Sequence, residues 1–170
     1  MLVIASYIFY GWANPWYCLL LFFSTVLDFN IGQRLARTQI PSQRRWLLFA
    51  SLVGNLGILG FFKYSAFFVQ SMNDGALALG IQLNWTVPQI LLPVGISFYT
   101  FQTLSYTIDI YRGKMEATDD FLSFALFVAF FPQLVAGPIE RARDLLPQLD
   151  IKPTFNAEDI TIGVTRILWG

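Results

Sequence analysis

Histidine is absent from this chain, and cysteine occurs once, at Cys18. Without histidine there is no side chain whose ordinary titration falls near neutrality, so the commonest general base is missing. A single cysteine closes no internal disulfide, and one thiol with scattered carboxylates offers no metal set at ligand spacing, so no metal is expected. Cys18 reads as packed or lipid-facing filler in an apolar run. Charge is also scarce. Asp, Glu, Lys and Arg make up 13% of the 170 residues, against about 25% in a typical soluble domain. The formal net charge of zero excludes the electrostatic footprint of a nucleic-acid binder. No Gly-rich phosphate loop follows a strand, and no GxSxG nucleophile turn occurs. The opening lacks the basic n-region and small-residue cleavage site of a secretory signal.

What remains is apolar and aromatic. Hydrophobic residues reach 55%, with 17 Phe, 7 Tyr and 5 Trp, a composition suited to lipid with rings at its interfaces. The chain is read as one all-α, polytopic membrane domain over 1–170, with five apolar segments. The first, residues 2–12, falls short of the ~20 residues a crossing needs, so a longer spanning helix is expected to be entered part-way. Ala13-Asn14-Pro15 ends it, and a second segment follows over about 15–35. The third spans about 46–62, with a possible continuation past Lys63 to Met72. The fourth spans about 88–110, interrupted by Pro93 and Gly95. The fifth, 121–136, is about 24 Å as a helix and shorter than a ~30 Å core. Asn156 can cap a last helix from Ala157, with Glu158 and Asp159 in its first turn.

Basic residues orient these segments. Arg34, Arg37, Arg44 and Arg45 share one loop with no acid, which the positive-inside rule places in the cytoplasm. Arg112 and Lys114 return there by alternation. Arg141, Arg143 and Lys152 would then face outward, so the short fifth segment is expected to be re-entrant, with 133–143 on the cytoplasmic side. Arg44 is read as part of an ordinary solvated loop.

Asp28 and Asp109 are read as helix-end acids at the interface, paired with Arg34 or Arg37 and with Arg112 respectively. Gly54, Gly57 and Gly60 form a small-residue strip for close helix packing. The candidate cavity-lining residues are Gln133, Gly137, Pro138, Glu140, Arg141, Arg143 and Asp109. Pro132 and Pro138 deny this stretch a continuous helix, and its arginines could hold a phosphate or carboxylate. A solvated surface loop is the bland alternative.

Several stretches resemble the membrane-bound O-acyltransferase family, in the branch containing the bacterial alginate O-acetylation and teichoic-acid D-alanylation proteins. They are SYIFYGW at 6–12, Asn55-Leu56-Gly57 with Phe61-Phe62-Lys63-Tyr64, the LPVGISFYTFQTLSY run within 91–106, and residues 130–149. The phrasing is closer to the alginate type. The resemblance implies a helical ring around a tunnel, in the bacterial inner membrane. An acyl donor (acetyl-CoA or another activated acyl group) would enter as substrate, with no bound cofactor. Acetyl groups would pass to hydroxyls of an exported polysaccharide, with membrane lipid and other polysaccharide acetylation and export proteins as partners. The family's catalytic histidine lies in a C-terminal half with no counterpart here, so no catalytic residue carries over. The chain is expected to be the N-terminal part of such an enzyme, inactive alone. D-alanyl transfer, or a non-catalytic scaffold or transporter piece, are the alternatives.

Overall fold

The computed structural model describes residues 1–83, 85–87, 90–137, 140–150 and 156–169, and among them every regular element is a helix. The fold is that of an all-α membrane protein. Two of the described helices are long and apolar enough to cross a bilayer, and many large apolar side chains face outward, among them Phe22, Phe23, Phe61 and Phe67.

Helix α1 (Leu2–Ala13) meets α2 (Pro15–Arg37) at Asn14. The Asn14 side-chain oxygen accepts the Trp16 N–H at 3.1 Å, and Pro15 starts the helix where a missing N–H costs nothing. Cys18 packs back on α1, its Sγ 3.5 Å from Tyr7 O. Helix α2 is central and packs on α1, α3, α4 and α5.

Helix α3 (Pro41–Ala78) is a single 38-residue rod, so the third apolar segment continues well past Lys63. At ~1.5 Å per residue it is about 57 Å long, nearly twice a ~30 Å hydrocarbon core. Of the glycine strip only Gly54 packs closely, against Leu27, whereas Gly57 and Gly60 meet nothing within 4 Å. Close helix approach falls elsewhere, at Gly32. An added Cβ there would sit 2.5 Å from Tyr106 Cε1, so a side chain would push α2 off α4.

The fourth segment does not form one kinked helix. Helix α4 (Ile96–Tyr111) begins only after Gly95, whose φ of 74° lies in the left-handed region that glycine alone enters freely. The Ile96 N–H turns back to Pro93 O at 3.2 Å. Pro93 and Gly95 thus set the start of a helix.

Helix α5 (Phe121–Ala129) is capped by Asp120, which accepts the Leu122 N–H and the Ser123 hydroxyl, each at 2.8 Å. The Ser123 and Leu122 donors hold the Asp120 carboxyl below its ordinary range. That contribution is present above the ordinary carboxylate pKa and fades as pH falls through the lowered one. At Phe130 the chain breaks, and α6 (Phe131–Ala136) follows with Pro132 in its first turn. Helix α7 (Ala142–Asp150), absent from the sequence reading, lies against α5 and α4 with Ala142 and Leu146 buried. Helix α8 (Ala157–Trp169) starts as expected, Asn156 accepting the Glu158 N–H at 3.0 Å, and buries no residue.

Gly32→Ala should lower stability by about 1–3 kcal/mol through overpacking. Gly57→Ala should leave it unchanged or raise it by up to about 1 kcal/mol. Thermal unfolding of the detergent-solubilised variants distinguishes them, and equal melting points would contradict the close α2–α4 approach.

Candidate functional site

Three helices each turn a polar pair inward at i, i+4 spacing: Ser24 and Asp28, Ser51 and Asn55, Thr103 and Thr107. All six side chains are buried. Residues four apart stack on one helical face, so the pairs on α2, α3 and α4 converge. Asp28 accepts the Ser51 hydroxyl on Oδ1 at 2.6 Å and the Asn55 amide on Oδ2 at 2.7 Å. Asn55 Oδ1 accepts from Ser24 at 2.8 Å and from Thr103 at 3.4 Å. The Ser51 and Thr107 hydroxyls lie 3.1 Å apart.

This placement corrects the interfacial reading of Asp28. Its partners are neutral side chains of a neighbouring helix, not Arg34 or Arg37. The reason is geometric, since six and nine residues at ~100° per residue carry both arginines well off the Asp28 face. Asp109 also differs from expectation. It is buried, Arg112 is exposed, and Oδ2 has no hydrogen-bond partner among the described residues.

Arg44 gathers helix ends at the basic end of the bundle. Its Nη1 donates to Leu35 O and Thr38 O, and its Nη2 to Ile110 O and Tyr111 O at 3.2 and 3.0 Å. Its guanidinium carbon also lies 5.6 Å from the Tyr111 ring centre. The last carbonyls of a helix lack onward helical donors, and although Ile110 O also accepts the Gly113 N–H at 3.0 Å, a cation answers the remaining missing bonds and the helix dipoles. The expectation of an ordinary solvated loop is therefore wrong for Arg44, which lies in the first turn of α3, where its neighbour Arg45 is exposed. Beside the clamp, Gln33, Arg37, Lys114, Glu116 and Asp119 line a cavity of about 700 Å³.

A second polar cluster sits at the α5–α6 break. Phe127 O accepts the Gln102 amide at 2.6 Å, and the same nitrogen lies 3.4 Å from Gln133 Oε1. Gln102 and Gln133 are both buried. Gly137 follows α6 and backs onto Gln133. Where a helix breaks in a water-poor interior, its carbonyls need side-chain donors, and Gln102 supplies one.

The remaining site candidates scatter. Glu140, Arg141 and Arg143 are exposed, with Arg143 paired to Asp144 at 3.4 Å. Pro138 lies outside the described residues. Asp109 is seven residues from Gln102 on α4, about 10 Å along the axis. Sequence reasoning missed Ser24, Ser51, Asn55, Gln102, Thr103 and Thr107. The i, i+4 repetition of small polar residues within apolar runs was the signal available for most of them.

The break does not sit at the basic end. A Cβ at Gly95 would lie 3.2 Å from Leu134 O, which puts α6 beside the start of α4, whereas Arg44 binds its last carbonyls. Gln133 meets Gln102, which lies eight to nine residues before Ile110 and Tyr111, about 12–14 Å along the axis. Residues 133–137 therefore lie on the Gly95 side of α4, away from the Arg44 clamp.

No family model matches the chain, and no solved structure does. Among curated proteins, it is 41% identical over 172 residues to the probable alginate O-acetylase AlgI of Pseudomonas aeruginosa, which covers all of this chain and 32% of that protein. The same protein of Azotobacter vinelandii is also 41% identical, with 34% of its length covered. A peptidoglycan O-acetyltransferase of Helicobacter pylori is 32% identical over 189 residues, covering 96% of this chain and 35% of the relative. The chain spans about a third of the length of these relatives.

Arg44→Ala should destabilise the chain by about 1.5–3 kcal/mol, the range for hydrogen bonds to a charged group. Arg45→Ala should change it by no more than about 0.5 kcal/mol. Chemical or thermal unfolding in detergent checks the pair, and an equal response would mean that Arg44 does not tie α2 to α4.

Proposed function

On the premise that this chain belongs to the membrane-bound O-acyltransferase family and its alginate O-acetylation branch, we propose that it takes part in acetyl transfer to hydroxyls of an exported polysaccharide. Alginate is the favoured acceptor. The observation that carries this reading is the 41% identity running along the whole chain. The peptidoglycan O-acetyltransferase relative supports a cell-wall glycan as the second acceptor.

The setting is the bacterial inner membrane, crossed several times, with the basic α2–α3 junction, Arg34 to Arg45, in the cytoplasm. Acetyl-CoA or another activated acyl group is the donor and approaches the basic end, where Arg37 and Lys114 line the 700 Å³ cavity. Other polysaccharide acetylation and export proteins would receive or use the product. In the transfer itself the acceptor oxygen attacks the acyl carbonyl, the bond to the donor breaks, and the acceptor proton must be taken up. Among the described residues, neither a histidine nor an unoccupied Asp28 oxygen is at hand for that last step. The chain contains no histidine, and both Asp28 oxygens already accept hydrogen bonds. Its residues instead hold helices. The Asp28–Asn55 cluster joins α2, α3 and α4, and Gln102 secures the break beside Gln133.

Grafting the chain in place of the matching third of the Pseudomonas aeruginosa relative, in cells lacking that relative, tests the reading. The chimera should restore O-acetyl groups on alginate, whereas residues 1–170 alone should not. An inactive chimera that inserts at normal levels would contradict acetyl transfer to alginate. Acetylation by the chain alone would contradict the missing base.

A further inference from the structure

The far end of α3 carries a polar and aromatic cleft that the transfer reading does not use. Asn73 lies 29 residues beyond Arg44 on one continuous helix, about 43 Å away at ~1.5 Å per residue and so past a ~30 Å core. The helix ends at Ala78, and the Ile81 N–H folds back to Ala76 O at 2.8 Å. Asn73 then holds the backbone of Trp85 at both its polar groups. Its amide donates to Trp85 O at 2.9 Å, and its oxygen accepts the Trp85 N–H at 3.3 Å. The Trp85 backbone is held while its side chain stays half exposed, 52%.

Trp85, Asn73, Asp74, Leu77, Gln82 and Leu83 line a cavity of about 540 Å³, within the ~300–1,000 Å³ range of ligand sites. An exposed indole on a held backbone, beside an amide and a carboxylate, is the chemistry that recognises a sugar ring. One face of a pyranose is a patch of C–H bonds that lies on an aromatic surface, and its rim carries hydroxyls that bond to Gln and Asp oxygens. Asp74 is the only charged residue between Lys63 and Asp109, so no nearby basic residue in the sequence offsets a ligand's negative charge.

We propose that this cleft binds a glycan strand on the extracytoplasmic face, with Trp85 as the stacking platform and Asp74 and Gln82 as hydroxyl acceptors. It rests on the acetyl-transfer reading for its orientation and deepens it by naming where the acceptor is held. The lone carboxylate also sets an order of preference, in which a neutral strand binds more tightly than an otherwise similar polyuronate at low salt.

Calorimetry on the full chain in detergent tests this with two probes of one linkage, a β-1,4-mannuronate hexasaccharide and a β-1,4-mannose hexasaccharide, with no acyl donor present. Both should bind, the neutral one more tightly. Trp85→Ala should weaken both by about ten-fold, the loss of one aromatic contact. Asp74→Asn should tighten the mannuronate oligomer relative to the neutral one. Trp85→Phe, which keeps a ring, should retain most binding and covers the case in which the alanine variant fails to fold. No binding of either probe, or undiminished binding by a folded Trp85→Ala, would overturn the cleft. Absent binding with an active chimera would remove the cleft alone, and binding with an inactive chimera would remove the transfer reading alone.

Discussion

A polar group inside a bilayer protein has no water to fall back on, and each unpaired one costs several kcal/mol. That constraint accounts for the three features around which the chain is organised. Asp28 is surrounded by donors from α3, Phe127 O at the helix break is met by Gln102, and the carbonyl ends of α2 and α4 are met by Arg44. Each solution crosses between helices. Satisfying local polarity thereby joins the bundle.

These joins also explain the geometry of the candidate site. Helix α4 takes part in all three, through Thr103 and Thr107, through Gln102, and through the carbonyls of Ile110 and Tyr111. It is therefore anchored at its middle and at its basic end, while Gly95 seats its other end against α6. Gln102 and Gln133 meet on this fixed helix. In the transfer proposed above, the chain supplies position, and the proton-accepting group has to come from elsewhere.

The all-helical class, the basic loop, the capped start of α8 and the family were legible in the sequence because each rests on local pattern or on motif. Asp28 was harder to place. Its two nearest arginines in sequence suggested an ion pair, but helical phase turns them away and only tertiary packing brings Ser51 and Asn55 near. Arg44 failed for the same reason, since an arginine in a helix's first turn becomes a clamp only when two distant helix ends converge on it. The length of α3 was undercut by Lys63, a charge that a long helix tolerates on its exposed side with Tyr64 5.5 Å away. The Pro93–Gly95 pair was seen as an interruption, and whether it kinked a helix or started one depended on the approach of Leu134.

The most direct test of the organising role of buried polarity is a double-mutant cycle between Asp28→Ala and Asn55→Ala, read as unfolding free energy in detergent. The two residues share a 2.7 Å bond and a common network. Each single substitution should destabilise the chain, and the double should cost less than their sum by about 1–2 kcal/mol. Additivity within about 0.5 kcal/mol would contradict the account, because α2 and α3 would then be held by apolar packing alone.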